Sequence, residues 1–378
     1  MERMDIVMKK LGFGLMRLPL LDPEDHKSVD IEKVKKMADE FLTNGFTYFD
    51  TAYPYHGGHS EIAFREAVAK RYPRSAYTIT DKLSMFMIRK EEEIPGFFEG
   101  QLERLGVDYV DYYWLHGLNK QTYQQAEEMH AFEFIQKKKE EGKIRHIGLS
   151  FHDSAAVLEE ILTAHPEMEY VQIQLNYLDW DDPAIESRLC YETAARHGKP
   201  VIVMEPIKGG SLIQIPEKAK EIFYQAQPHL SLASWAVRFA ASPANVMMVL
   251  SGMSNEEQMQ DNISYMKEFQ TLTEKEQKAV KDAADVIRSA AGIPCTACRY
   301  CVDTCPKKIA IPDCFAIYNN LKRGGRLAGL TSGMYYENLT RTHGKASECL
   351  KCGKCEKLCP QHLTIRRYLE DVVKTLEQ

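Results

Sequence analysis

The sequence lacks any apolar run long enough for a signal peptide or a membrane span. The chain opens "MERMDIVMKKLGFG", and although 44% of its 378 residues are hydrophobic, no later stretch approaches the ~20 consecutive apolar residues of a spanning helix. A soluble, cytoplasmic protein with no membrane partner is therefore expected. The sequence also lacks a G-x-G-x-x-G between a strand and a helix near its start; the glycines of "LGFGLMR" are spaced differently, which counts against a doubly wound dinucleotide fold. No flavin motif is visible. Ten cysteines would suggest disulfides only in a small secreted protein, and here eight of them fall into two identical spacings. That pattern points to thiolate ligands in a reducing compartment.

Residues 295 to 306 read "CTACRYCVDTCP", and residues 349 to 360 read "CLKCGKCEKLCP". The C-x2-C-x2-C-x3-C-P spacing is that of the [4Fe-4S] clusters of bacterial ferredoxins, in which the fourth cysteine of each motif ligates the other cluster. By that rule Cys295, Cys298, Cys301 and Cys359 hold one cluster, and Cys349, Cys352, Cys355 and Cys305 the second. Paired zinc sites are the alternative, but they usually use two CxxC pairs and have no need of a third closely spaced thiolate. Cys190 and Cys314 fall outside the spacing and read as ordinary buried thiols.

From residue 291 to the end there are fourteen Lys or Arg and eight Asp or Glu, a balance of +6 within a chain of net charge −6, so the remainder carries −12. Two oxidised clusters with their thiolates bring roughly −2 each, and a surplus of cations suits such anions. The basic stretch "LKRGGRLAG" from Leu321 then needs no nucleic acid to explain it.

The first 290 residues have another rhythm, in which short apolar runs alternate with longer amphipathic ones. The candidate strands are "LGFGLMRL", "FTYFDTA", "AYTITDKL", "YVDYYWLH", "IRHIGLSF", "YVQIQLNYL", "PVIVMEP" and "VMMVLSG". Helix-like stretches lie between them, such as "DIEKVKKMADEFLTNG" with Asp30 as cap and Gly45 as stop. The predicted fold is a (β/α)8 TIM barrel over residues 1–290, followed by a small, mainly helical ferredoxin-like domain over residues 291–378. The charged stretch "TEKEQKAVKDAADVIRSAAG" reads as an amphipathic helix before the boundary.

Barrel enzymes place their chemistry at the C-terminal ends of strands. Runs two to five continue as "FDTAYPY", "TDK", "WLHG" and "LSFHD", which brings Asp50, Tyr55, Lys82 and His116 to one face. Each alone has a plain structural reading as a cap, a solvated cation or a satisfied imidazole; the four together point to a site. In "HGGH", His56 and His59 either pair on a metal or simply occupy a turn.

At these residues the sequence resembles the aldo-keto reductase superfamily, through "GFGLMRLP", "FDTAYPYHGGHSE", "TDK", "DYVDYYWLHG", "IGLSFH" and "VLSGMSNEEQMQDNI". The resemblance implies that Tyr55 is the general acid that protonates a carbonyl oxygen, that Asp50 holds Lys82, and that His116 polarises the carbonyl or relays a proton. An ammonium beside Tyr55 is expected to stabilise its phenolate. The resemblance further implies NADPH or NADH, contacted by Met16 and Arg17, by Ser150 and Gln172 at the carboxamide, by Pro206 and Ile207 near the pyrophosphate, and by Ser251, Ser254, Gln258 and Asn262 at the adenosine half. Phe151, Leu175 and Met253 depart from the family pattern, where an asparagine, a stacking aromatic and a basic residue are often found; Tyr177 is a substitute for the aromatic if the register differs.

These residues imply an oxidoreductase acting on a carbonyl or hydroxyl group of a small-molecule metabolite, with electrons passed through two [4Fe-4S] clusters to or from a ferredoxin or other carrier. A bound flavin is one way to convert two-electron into one-electron transfer. The alternatives are ordinary NAD(P)H-dependent carbonyl reduction with structural or oxygen-sensing clusters, and an electron carrier or redox sensor whose barrel is not catalytic.

Overall fold

Eight parallel strands pair in sequence order and the last pairs with the first, closing a barrel. They are β1 (Leu11–Gly14), β2 (Tyr48–Asp50), β3 (Thr78–Ser84), β4 (Val110–Leu118), β5 (Ile144–Phe151), β6 (Tyr170–Gln174), β7 (Val201–Met204) and β8 (Val246–Ser251). Each falls within or across one of the eight apolar runs. The computed structural model describes residues 8–290, 292–323 and 328–377. The opening residues 1–7 and residues 324–327 of the basic stretch therefore lie outside the described residues. No helix among the described residues is long and apolar enough to cross a membrane.

Strand alternation decides what each side chain meets. Tyr48, Tyr112 and Trp114 join Ile202, Met248 and Leu250 in one buried cluster. Phe49, one residue on from Tyr48, belongs to the opposite face and packs with Phe13 and Phe41, at centroid separations of 6.0 and 5.4 Å. Phe41 comes from the helix Ile31–Thr43, which buries Val34, Met37, Ala38 and Phe41 at helical spacing. Asp30 caps that helix by accepting from the Lys33 N–H, and Gly45, at φ +79°, ends it in a conformation that favours glycine. By the same parity Asp50 shares the face of Tyr48, and Lys82 and His116 share the faces of Thr80 and Trp114.

Compactness divides the chain into two units, residues 1–175, 190–206 and 233–272 in one, and residues 176–189, 207–232 and 273–378 in the other. All eight strands belong to the first. In the second, the helix Glu274–Ser289 begins with a capping box between Thr273 and Glu276 and packs against the helix Glu217–Ala226. Further on, the helices Ile311–Arg323, Ala328–Thr342 and Ile365–Leu376 gather around a core that includes Ile309, Ile311, Phe315, Ile365 and Leu369. Cys314 is buried in that core, and Cys190 is buried in the first unit. Ile185, from the loop after β6, belongs to the same core as Cys301 and Cys355. Asn319 holds the backbone of Ile293 from both sides, accepting from its N–H at 2.9 Å and donating to its carbonyl at 2.8 Å. The approach to Cys295 is thereby fixed by a side chain.

The barrel interior predicts its own sensitivity. A Cβ on Gly148 would lie 2.4 Å from the Tyr170 carbonyl oxygen and 2.6 Å from the Trp114 ring, whereas one on Gly12 would meet mainly the Leu250 side chain. Gly148→Ala is expected to lower the urea unfolding midpoint by the equivalent of about 3 kcal/mol, and Gly12→Ala by clearly less, because a side chain can move aside more easily than backbone.

Candidate functional site

The site is built on a turn that glycine makes possible. After β2 the chain passes through the short turn Tyr55–Gly58, in which His56, Gly57 and Gly58 have φ of 52°, 60° and 88°. Ser60, at the start of the next helix, pins this turn: its hydroxyl bonds the Thr51 hydroxyl at 2.7 Å and the Leu15 carbonyl at 2.9 Å. His56 has both ring nitrogens engaged, Nδ1 with the His26 carbonyl at 2.7 Å and Nε2 with the Leu18 N–H at 3.3 Å. Its imidazole is a structural element of the turn, and the metal alternative for "HGGH" loses its first ligand.

Lys82 is fully buried and spends all three of its donors. Its ammonium reaches Asp50 Oδ1 at 2.6 Å, the Thr51 carbonyl at 2.7 Å and Tyr55 Oη at 3.4 Å. Burial opposes its charge, but the Asp50 carboxylate and the Tyr55 oxygen outweigh this and raise its pKa. Burial raises the pKa of Asp50 and also that of Tyr55, where it exceeds the lowering by Lys82. The ammonium thus moderates the rise without producing a phenolate, and Tyr55 keeps its proton through the neutral range.

His116 stands beside them. Its ring lies edge-on to Tyr55 with centroids 6.0 Å apart, and its Nδ1 is 2.8 Å from the Ser84 hydroxyl, its register partner across β3 and β4. Burial, reinforced by Lys82 and His152, pushes its pKa well down, so the imidazole is neutral. The structure therefore gathers all four residues predicted from the strand ends, although Lys82 and His116 lie inside strands that continue two residues beyond each.

Behind this layer lies a group that the sequence reading missed. Asp81, one residue before Lys82, takes the opposite parity and meets Glu61 of the helix His59–Phe64; both carboxylates are fully buried. Glu61 accepts from Arg104 Nε and from Gln101 Nε2, and Gln101 also donates to the Lys82 carbonyl at 3.0 Å. Burial and then the Glu61 charge drive the Asp81 pKa far above the aspartate range, so Asp81 is the protonated partner; burial raises the Glu61 pKa as well, but there Arg104 works against the rise. "TDK" and "GGHSE" held both residues, but nothing in either spacing shows that they touch.

Four of the nucleotide candidates have polar atoms that a ligand could meet. Ser150 Oγ and Gln172 Oε1, on adjacent strands in register, and Ser251 Oγ and Asn262 Oδ1, at β8 and the helix that follows it, are buried without a hydrogen-bond partner among the described residues. Buried polar atoms in that state are costly unless a ligand meets them. Ser254 and Gln258 are instead engaged locally: the Ser254 hydroxyl donates to the Arg17 carbonyl at 2.8 Å, and its N–H to Gln258 Oε1 at 2.8 Å. Met16 is exposed and Met253 is buried. Pro206 and Ile207 follow β7 and lead into a turn with positive φ at Lys208, Gly209 and Gly210. Leu175 is buried, and Tyr177 lies beyond the end of β6 with its ring 6.0 Å from Phe223.

In the second unit the eight cysteines of the two motifs line two cavities. One is lined by Cys295, Cys298, Cys301 and Cys359, the other by Cys305, Cys349, Cys352 and Cys355. Each cavity thus takes three thiols from one motif and the last from the other. Burial pushes Cys301 up to about 12 and Cys355 up to about 11, so these thiols become thiolates only with a cation beside them. The donor set suits an iron-sulfur cluster.

A closed parallel barrel that gathers a buried lysine, a tyrosine and a histidine toward the C-terminal side of its strands defines a class of barrel with a polar site at that end. The profile of the Aldo/keto reductase family matches residues 10–285, and the chain belongs to that family. The profile of the 4Fe-4S dicluster domain matches residues 294–364. The chain is 31% identical over 181 residues to "Probable aldo-keto reductase 1" of Glycine max, covering 46% of this chain and 49% of that protein. It thus spans about half the length of that relative. It is 22% identical over 306 residues to the NADH-specific methylglyoxal reductase of Escherichia coli, covering 69% of this chain and 90% of that one. An aldo/keto reductase from Klebsiella pneumoniae, solved in complex with NADP and acetate, superposes with a TM-score of 0.59 at 19% identity, over 73% of this chain and 91% of that one. The chain thus carries an aldo-keto reductase barrel and a 4Fe-4S dicluster domain.

The buried carboxylates give a pH signature. Folding raises the Asp81 pKa, so above the ordinary aspartate value of about 3.9 the folded chain holds a proton that the unfolded chain has released, and stability falls as the pH rises toward the raised value. Asp81→Asn keeps an acceptor for the Lys82 N–H and offers Glu61 a donor, without a proton to lose. Urea midpoints for the variant and parent should lie closest near pH ~4.5, with the variant ahead by an amount on the order of 1 kcal/mol at pH ~8. Parallel curves across that range would show that Asp81 ionises freely.

Proposed function

We propose that this chain interconverts a carbonyl and a hydroxyl group on a small metabolite, with Tyr55 as proton donor and acceptor and with electrons exchanged with an external carrier through the dicluster domain. The observation that carries the reading is the Lys82 ammonium shared between Asp50 and Tyr55 at the end of a closed barrel. A carbonyl oxygen accepting the Tyr55 proton leaves a phenolate whose charge falls next to that ammonium. The neutral His116 imidazole, its Nδ1 turned to Ser84, keeps Nε2 for the same oxygen. The barrel portion runs to about residue 290, and the cluster portion follows it.

Cys295, Cys298, Cys301 and Cys359 would hold one [4Fe-4S] cluster, and Cys305, Cys349, Cys352 and Cys355 the other. Two such clusters, each changing by one electron, would supply the two electrons that one carbonyl takes up together with two protons, that on oxygen from Tyr55 and that on carbon from water. A second reading, reduction by NADPH or NADH with structural clusters, is favoured by the unpartnered Ser150 and Gln172 oxygens, which would hold a carboxamide. A nicotinamide there would supply hydride directly. The family and structural matches give no support to a flavin, and neither reading uses one.

Two measurements test this. Replacing Tyr55 by Phe should lower kcat for carbonyl reduction by about 10²–10⁴ while leaving the iron content unchanged. Because burial raises its pKa, the parent rate should stay level through neutrality and fall only above pH ~10. An unaltered rate in the variant would remove Tyr55 from the chemistry. Anaerobic titration with NADH and then NADPH, followed by visible absorption and EPR, separates the two readings: bleaching by either nucleotide joins the barrel and the clusters in one electron path, whereas nucleotide oxidation that needs a carbonyl and leaves the clusters untouched favours the second.

A further inference from the structure

The two cysteine-lined cavities share a wall, since Ile311 lines both, but their surroundings differ. The first is tied to the loop after β6. Arg299 on its lining pairs with Asp313 through both guanidinium nitrogens at 2.9 Å and lies within electrostatic reach of Glu186, and Ala184 and Ile185 pack in the core that contains Cys301. Its motif contains one basic and one acidic residue, Arg299 and Asp303. The second cavity has no lining residue from that loop. Its motif sets three lysines, Lys351, Lys354 and Lys357, against one acid, Glu356.

The surface over the second cavity follows from this. Leu350 and Leu358 are 60% and 45% exposed, and Cys352 is exposed between them in sequence. Glu356 is neutralised by Arg366 at 2.9 Å, and Lys351 is held by Glu370 at 2.7 Å. Lys354 and Lys357 are exposed and form no ion pair with a described residue. Exposed leucines and two lysines without an ion pair in one short segment, with Leu350 and Lys354 lining the cavity beside the exposed Cys352, suit a partner with the opposite charge.

We propose that the face formed by residues 349–360 docks an acidic one-electron carrier protein, so that electrons enter at the second cavity and reach the first across Ile311. The inference rests on the reading that both cavities hold [4Fe-4S] clusters. Each encounter moves one electron: the carrier is oxidised by one equivalent and the dicluster domain reduced by one, with no bond made or broken. Two encounters match the need of one carbonyl.

The probe is a small acidic plant-type [2Fe-2S] ferredoxin, reduced and mixed anaerobically with the full iron-loaded chain in a stopped-flow instrument. For Lys354→Glu/Lys357→Glu the second-order rate constant at low salt should fall about tenfold or more, and its salt dependence should flatten. Lys275→Glu/Lys281→Glu, an equal charge change on the helix Glu274–Ser289, should fall much less. Binding of the oxidised partners, measured without turnover, should weaken in parallel, and Leu350→Ser should weaken it with no change of charge. Dithionite should bleach every variant at the parent rate, which shows that the clusters are intact. Equal losses in both double variants, or none in the first, would overturn the docking site while leaving the clusters redox-active. Failure of dithionite to bleach the parent would instead sink the cluster reading, and this proposal with it.

Discussion

The structure depends most on a buried ammonium. Placing Lys82 among apolar strands is unfavourable unless every donor is met, and the barrel meets all three, with a carboxylate from β2, a backbone carbonyl just beyond it and the Tyr55 hydroxyl from the following turn. Those acceptors are mutually constrained. Asp50 is the last residue of β2, Thr51 is held by Ser60, and Tyr55 is placed by a turn whose φ angles require glycine. Removing one acceptor would leave a charge in low dielectric at a cost of about 3–5 kcal/mol, so the lysine locks the geometry around it as much as the geometry holds the lysine.

Strand parity carries the same constraint outward. Residues 80, 82 and 84 face one way, and Asp81 faces the other. The inner set supplies the ammonium and the hydroxyl that fixes His116; the outer residue enters a buried network with Glu61, Gln101, Arg104 and Tyr113. Gln101 donates to the Lys82 carbonyl, so the network beneath β3 also steadies the backbone that positions the ammonium. The two faces of one short strand thus serve one group.

This explains what the sequence discloses and what it withholds. Eight apolar runs were legible because parallel strands covered on both faces are apolar throughout, and the cysteine spacing was legible because ligation imposes it locally. Asp50, Lys82 and His116 could be found because strand ends are where such barrels place polar groups. The contact between Asp81 and Glu61 depends on how a helix lies on β3, which no local spacing encodes. Ser84 lies just past the run "AYTITDKL", and its place beside His116 follows only from the register of the two strands. The net direction of the Tyr55 shift was likewise hidden, because a neighbouring cation is visible in a motif whereas burial is not.

The division by compactness does not follow the boundary between the two family matches. The loops that leave the C-terminal ends of β6 and β7 group with the dicluster region rather than with the strands that precede them. Asn320 of the helix Ile311–Arg323 donates to Asp182 at 3.1 Å, Lys208 pairs with Asp179 at 2.5 Å, and Ile185 completes the core around the cysteines. Metal loading contributes to the folding free energy of domains of this size. Loading of the dicluster region would therefore be linked, by mass action, to the conformation of these two loops, which belong to the same compact unit.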